Sequence, residues 1–356
     1  MKNILSISSI IFALLLISCN EDNEERVYNP TPYELEIPEV FQNRIIAPLI
    51  PSDNTLTVEG IALGKKLFYD PMLSANGTQS CSSCHKLENS FTDTNRFSIG
   101  IDGEAGTRNA MPIFNLAWNF NETFFWDGRA VSLENQAEEP VTNPIEMHNT
   151  WKAAINSLQQ DDNYPDLFFD AFGTSQISME LVTKAISQFE RTIISANSKF
   201  DQAILGNASL SPSEVSGYEI FMAEDKGDCF HCHGSINNPL WTDNLFNNNG
   251  IDSVFTDIGL EKTTGNTYDR GKFKTPSLRN LKFTAPYMHD GRFNTIEEVI
   301  DHYSEGLKFS STIDPLMKSA YKGGVHLTDE EKSDLKAFLL TLSDDSFIIN
   351  QSFYEN

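Results

Sequence analysis

Two five-residue segments constrain this chain more than any other part of its 356 residues: Cys81-Ser82-Ser83-Cys84-His85 and Cys229-Phe230-His231-Cys232-His233. Two thiols three positions apart can add to both vinyl groups of one haem, and the adjacent histidine then lies beneath the iron as its proximal ligand. One such motif alone has rivals in a zinc half-site, a thioredoxin-type redox pair or a plain disulfide. Zinc ribbons pair their half-sites within about 15 to 20 residues, whereas residues 86–228 separate these two. Neither zinc nor redox chemistry requires a histidine directly after the second cysteine in both copies. The motifs therefore predict two covalently bound haem c groups, attached through Cys81, Cys84, Cys229 and Cys232 and ligated by His85 and His233. His231, fixed inside the second motif, is expected to point away from the iron.

The fifth cysteine, Cys19, has a different setting. Lys2, an apolar run from Ile4 to Ile17 and the sequence Leu16-Ile17-Ser18-Cys19 read as a signal peptide (1–18) ending in a lipobox. Cys19 is then the lipidated N-terminus, tethering the protein without spanning a membrane. A soluble secretory signal that happens to contain a cysteine is the alternative. Either route leads to the bacterial cell envelope, on the periplasmic side or attached to the outer membrane, where an oxidising environment suits covalent haem attachment. The chain carries 26 basic and 50 acidic residues, a formal charge of −24. That field repels phosphates and argues against nucleic-acid binding. It suits a basic redox partner, or simply solubility.

Length and composition place two compact units after the tether. Residues 19–52 read as the lipidated N-terminus and a linker rich in Pro, Glu and Asn, extended or strapped over the surface. Residues 53–206 read as an N-terminal haem domain, 207–345 as a C-terminal one, and 346–356 as a tail. Helical periodicity marks Leu56–Phe68, Ser132–Glu138, Trp151–Leu158, Asp166–Phe172 and Met179–Ile194 in the first unit. It marks Ser213–Met222, Thr295–Tyr303 and Thr328–Leu342 in the second, with Ser211 and Thr328 as N-caps. Strand signals are sparse, so the fold class is mostly α: two cytochrome c-like haem domains packed against each other. The repeated order of helix, haem motif, loop and helix suggests an internal duplication.

Between Gly60 and Leu342 the sequence resembles the bacterial di-haem cytochrome c peroxidase family and its MauG branch. The resemblance rests on blocks that follow one another in family order: LGKKLFYDP (63–71), the first haem motif, RNAMPIFNLAW (108–118), FFWDGR (124–129), LENQAEEPVTNPIEM (133–147), FERT (189–192), the second haem motif, FKTPSLRN (273–280) and APYMHDG (285–291). It implies reduction of hydrogen peroxide at the haem on His85, with Glu146 and Gln136 in the distal pocket and Pro140 between them. It implies entry of electrons at the haem on His233 from a small cytochrome c or cupredoxin-type donor. Trp126 then lies between the two haems as a relay, or as an aromatic packed on a haem edge. Asn109, Thr284 and Pro286 match the family's calcium position, for which carbonyl and amide oxygens are suitable ligands. A homodimer is a further expectation.

Two departures lean toward the MauG branch. Family peroxidases carry a histidine after Ser-x-Gly that blocks the first haem; here the stretch reads Ser98-Ile99-Gly100-Ile101, and isoleucine cannot ligate iron. His148, two residues from Glu146, is the weaker substitute. The second haem's methionine ligand is replaced by Tyr303, a hard anionic donor that favours ferric iron. His302 points elsewhere on the same helix, and Met288 and Met317 are weaker rivals. His289 is expected near the second haem, and His326 at the surface. The expected function is peroxide reduction. The alternatives are a MauG-like oxidase acting through high-valent iron on a protein or small molecule, and a non-catalytic di-haem carrier.

Overall fold

The structure is a computed structural model that describes residues 26–355; the signal peptide and the Cys19 lipidation site lie outside the described residues. The chain is mostly helical, and its only named sheet among the described residues is one antiparallel pair, β1 (Phe246–Asn247) with β2 (Phe273–Lys274).

The first group of helices comprises α1 (Val58–Tyr69), α2 (Leu133–Thr142), α3 (Trp151–Gln160), α4 (Tyr164–Phe172) and α5 (Met179–Arg191). Thr57, Ser132, Thr150 and Ser178 cap α1, α2, α3 and α5, each side-chain oxygen accepting a first-turn amide. Helices α1 and α5 cross closely because Gly64 has no side chain: a Cβ there would lie 1.8 Å from the Ala185 carbonyl oxygen. Leu63, Leu67, Phe168, Val182 and Ile186 fill the core they enclose.

The second group comprises α6 (Lys199–Ile204), α7 (Pro212–Met222), α8 (Ile296–Asp301) and α9 (Asp329–Leu340). Ser198, Ser211, Thr295 and Thr328 begin them with reciprocal capping boxes. Phe200, Phe221, Trp241 and Phe338 meet edge to face at 5.2 to 5.8 Å in their core. Arg279 and Asp201, both fully buried, clamp this unit through two hydrogen bonds of 2.7 Å.

Helix α6 has no counterpart in the sequence expectations, because six residues are too few to show a period. The expected helix over 295–303 is also shorter: α8 stops at Asp301 and the chain widens into a π-helical turn, His302–Gly306. The segment before α1 is a strap with a buried side, since Leu35, Val40 and Phe41 pack beside Trp118. At the other end Phe347 and Phe353 return to the first group and pack with Phe68, Phe91 and Phe114.

Candidate functional site

Each haem motif opens onto its own cavity. The first encloses about 700 Å3 of non-protein space, mouth included, and is walled by Cys81, Cys84, His85, Gln136, Glu146 and Glu190. Cys81–Cys84 forms a single helical turn started by Ser80. Ser90 and Phe91 then take left-handed backbone angles, φ 56° and 58°, which turn the Phe91 carbonyl onto the ring of His85. His85 Nδ1 lies 2.9 Å from that oxygen. A carbonyl only accepts, so the proton sits on Nδ1 and the Nε2 lone pair is left for a metal.

Gln136 comes from α2 and Glu146 from the loop beyond it. Asn143, which ends α2, donates from Nδ2 to Glu146 Oε1 at 2.6 Å and fixes the carboxyl. Burial raises the Glu146 pKa, Glu139 adds to the rise, and the Asn143 hydrogen bond and Arg129 oppose it. The loop 98–106, where a blocking histidine is missing, is held against this segment. A Cβ at Gly100 would lie 1.8 Å from the Ile145 carbonyl oxygen, and the Ile101 amide donates to the Glu146 carbonyl at 3.0 Å. His148 does not line the cavity. It is half-exposed and pairs with Asp102 at 2.5 Å across the same two loops. Among the described residues the first cavity is lined by no histidine besides His85, and its methionine, Met147, is packed in the α1–α5 core.

The second cavity is larger, about 1840 Å3 with its mouth, and receives Cys229, Cys232, His233, Tyr303, Met288 and Met317. The structure thus brings Tyr303 and His233 to one space. The π turn rotates Tyr303 inward while its neighbour His302 is buried outside the cavity lining, near Asn249. Asn249 Nδ2 donates to Tyr303 Oη at 3.1 Å and to Met288 Sδ at 3.4 Å. Burial pushes the Tyr303 pKa up to about 12, with the Asn249 bond opposing. His233 is buried, which lowers its pKa to about 4 against the opposing pull of the Trp241 and Pro276 backbone. His231 does not line the cavity and pairs with Asp228 at 2.7 Å. His326 is exposed and lies 3.1 Å from the Lys322 carbonyl. His289 does line the second cavity, its ring stacked 3.6 Å from Phe273.

A short segment stands between the two spaces: Asn109 and Pro112 face the second cavity and Ile113 the first. Trp126 lies on the second cavity's wall, and its Nε1 donates to the Asn109 carbonyl at 2.8 Å. Thr284 and Pro286 are on that wall too. Sequence reasoning missed two buried ionisable groups. Glu190 faces the first cavity, and only its place inside the FERT block marked it. Lys274 lines the second; burial pushes its pKa down to about 7.

The residues fit a haem at both places. The four cysteines are free, and burial raises the pKa of every one, Cys229 and Cys232 to about 12. Neutral thiols beside a large apolar cavity suit thioether formation, whereas a zinc site needs thiolates. No helix among the described residues is long and apolar enough to cross a membrane.

Comparison with known proteins agrees. The family described as di-haem cytochrome c peroxidase matches residues 58–209. Methylamine utilization protein MauG of Methylorubrum extorquens is 37% identical over 306 residues, covering 82% of this chain and 80% of the relative. Cytochrome c551 peroxidase of Nitrosomonas europaea is 36% identical over 244 residues, covering 67% and 71%. The crystal structure of a MauG-like protein associated with microbial copper homeostasis superposes with a TM-score of 0.81 at 36% identity, covering 90% of this chain and 99% of that one. On this similarity, which spans most of both partners, the chain belongs to the di-haem cytochrome c peroxidase family, whose MauG-type members are among its relatives.

Proposed function

We propose that the protein is a di-haem c-type peroxidase that reduces hydrogen peroxide to water with electrons from a small redox protein of cytochrome c or cupredoxin type. The observation that carries this reading is the pairing of Gln136 and Glu146 over the cavity of His85, where no second histidine competes for the metal. When bound, the haem on His85 supplies the iron at which peroxide is cleaved, and the haem on His233 supplies the entry point for electrons.

The chain's own residues do the rest. Gln136 holds the peroxide by hydrogen bonding. Glu146, fixed by Asn143, takes the proton from one peroxide oxygen and returns it to the other, so that water leaves. The reaction consumes two electrons and two protons for each peroxide and yields two waters. Trp126, tied to the segment between the cavities, carries electrons from the second site to the first. Tyr303, which shares a cavity with His233, would help hold the iron of that haem, and the Asn249 hydrogen bond would help stabilise its anion. Asn109, Thr284 and Pro286 form a calcium site beside the second cavity, their oxygens suiting a hard cation.

The haem units are assigned to 53–206 and 207–345; α6 falls within the first range although its Phe200 packs in the second core. The N-terminus is placed in the cell envelope on a lipid at Cys19, and the assembly as a homodimer. Tyr303 and the missing histidine after Gly100 favour a second reading, a MauG-like oxidase of a protein or small molecule. A di-haem carrier without catalysis is the third.

Steady-state peroxide consumption with reduced cytochrome c decides among them. Turnover supports the peroxidase. Peroxide oxidation of the protein that cytochrome c does not reverse supports the MauG-like reading, and two low-spin six-coordinate haems with no turnover support the carrier.

A further inference from the structure

The first cavity holds an acid that the proposed mechanism leaves unused. Glu190 sits in the last turn of α5 and is only 3% exposed. It faces the cavity that also receives Cys81, Cys84, His85 and Glu146. Its Oε2 is buried and has no hydrogen-bond partner, which costs folding free energy unless something else takes it up. The adjacent guanidinium gives it no ion pair. Arg191 is committed to Glu134 on α2, with hydrogen bonds of 2.7 and 3.1 Å.

We propose that Glu190 is the proton-holding group of the first haem pocket, taking up one proton when the haem on His85 gains one electron. The electron comes from the small redox donor of the proposed function and the proton from solvent. One O–H bond forms on the Glu190 carboxylate and none breaks. The inference rests on haem occupying the His85 cavity, as that function requires.

The physical reason is charge in a poorly solvated space. An electron added beside a buried carboxylate puts two like charges at close range in a low dielectric, and binding a proton relieves the repulsion. The groups facing Glu190 do not offset this. Burial pushes its pKa up to about 8, Arg191 on its own helix pulls it down, and Glu134 from α2 pushes it up. Cys81 from the haem-motif turn feels both Glu190 and Glu146 as raising charges. Helix α1 presents Leu63, Leu67 and Phe68. Below about pH 8 the acid already holds its proton, and no uptake accompanies reduction. Above it the oxidised protein has released that proton, and reduction restores it.

The test is a redox titration of the haem-loaded protein between pH 6 and pH 10, with covalent haem attachment first verified by mass. The midpoint potential of the His85 haem is expected to be level below about pH 8 and to fall above it. The slope approaches 59 mV per pH unit, the one-electron equivalent of a tenfold change in proton concentration. In Glu190→Gln the fall is expected to disappear, while Glu146→Gln keeps it. A level wild-type curve, or an unchanged slope in Glu190→Gln, overturns the inference.

If Glu190→Gln does not fold, redox-difference infrared spectra of the wild type above pH 8 decide. A protonated-carboxyl band that appears on reduction and shifts in Glu190→Asp supports the assignment, and the lack of such a band overturns it. Peroxide turnover is measured separately. Loss of turnover with the slope intact counts against the enzymatic reading alone, and turnover without the slope counts against Glu190 alone.

Discussion

The two haem-motif cavities were built from the same five-residue pattern, yet their walls differ in kind. The first is small, with the carboxyls of Glu146 and Glu190 and the amides of Gln79 and Gln136 on its wall, and its histidine is oriented by the Phe91 carbonyl. The second is more than twice as large, its candidate axial groups are a phenol and two thioethers, two of its acids, Glu224 and Asp228, are paired with Lys318, and its histidine ring faces the Trp241 and Pro276 backbone. A carbonyl bond to the ring raises its basicity and stabilises oxidised iron. Proton-handling groups belong where oxygen chemistry happens, and a wide apolar wall belongs where an electron passes through. The difference teaches that the attachment motif fixes the cofactor, while the residues opposite it fix the task.

The sharpest way to break that contrast is Glu146→Gln. Peroxide turnover is expected to fall by about 10² to 10⁴, the usual worth of a positioned acid-base group, with reduction of the second haem unchanged in stopped-flow absorbance. Equal loss at both haems would erase the distinction. Phe347→Ala is expected to cost about 3 to 5 kcal/mol, as for other buried phenylalanines. Thermal unfolding followed at each haem band should show the first site loosening before the second.

Tyr303→Phe should remove the low-spin ferric signal of the second haem in electron paramagnetic resonance. It should also raise that haem's potential by roughly 0.1 V or more, within the ~0.8 V range that axial ligands span. An unchanged signal would show that Tyr303 is not the ligand.

A pH profile tests the first pocket alone. In the proposed mechanism Glu146 works as a base in its charged form, and burial raises its pKa. The kcat/KM for peroxide should therefore decline as pH falls through a value above the ordinary 4.5 of a glutamate, and Glu146→Gln should lose that limb. The smallest effect is expected from Asp102→Asn. The exposed His148 pair contributes about 1 kcal/mol or less, and the readout is a small drop in melting temperature without change at the second haem.

Much of this was legible beforehand because covalent haem leaves a rigid signature. The cysteine spacing marked both cavities, the resemblance to the family's Gln and Glu positions marked the distal pair, and capping residues marked most helices. The remainder depended on tertiary placement. Nothing local in FERT says that Glu190 faces a cavity while Arg191 pairs with Glu134, since that depends on how α5 rotates against α2. Tyr303 was marked by its match to the family's ligand position, but the π turn at His302–Gly306 breaks the helical period there, so its inward rotation could be seen only in three dimensions. The left-handed angles at Ser90 and Phe91 carry no sequence signal, because neither residue is a glycine.

The return of Phe347 and Phe353 to the first core has a consequence for biogenesis. They pack on Phe91, the residue whose carbonyl orients His85, and the Phe353 carbonyl accepts a 2.6 Å hydrogen bond from Tyr69 Oη. Phe347 and Phe353 follow the second unit in the sequence, so the scaffold behind the first iron ligand stays unfinished until the whole of the second unit has been made. A chain cut after its first haem motif would lack the aromatic wedge behind the Phe91 carbonyl, and its His85 ring would lose the support that orients it.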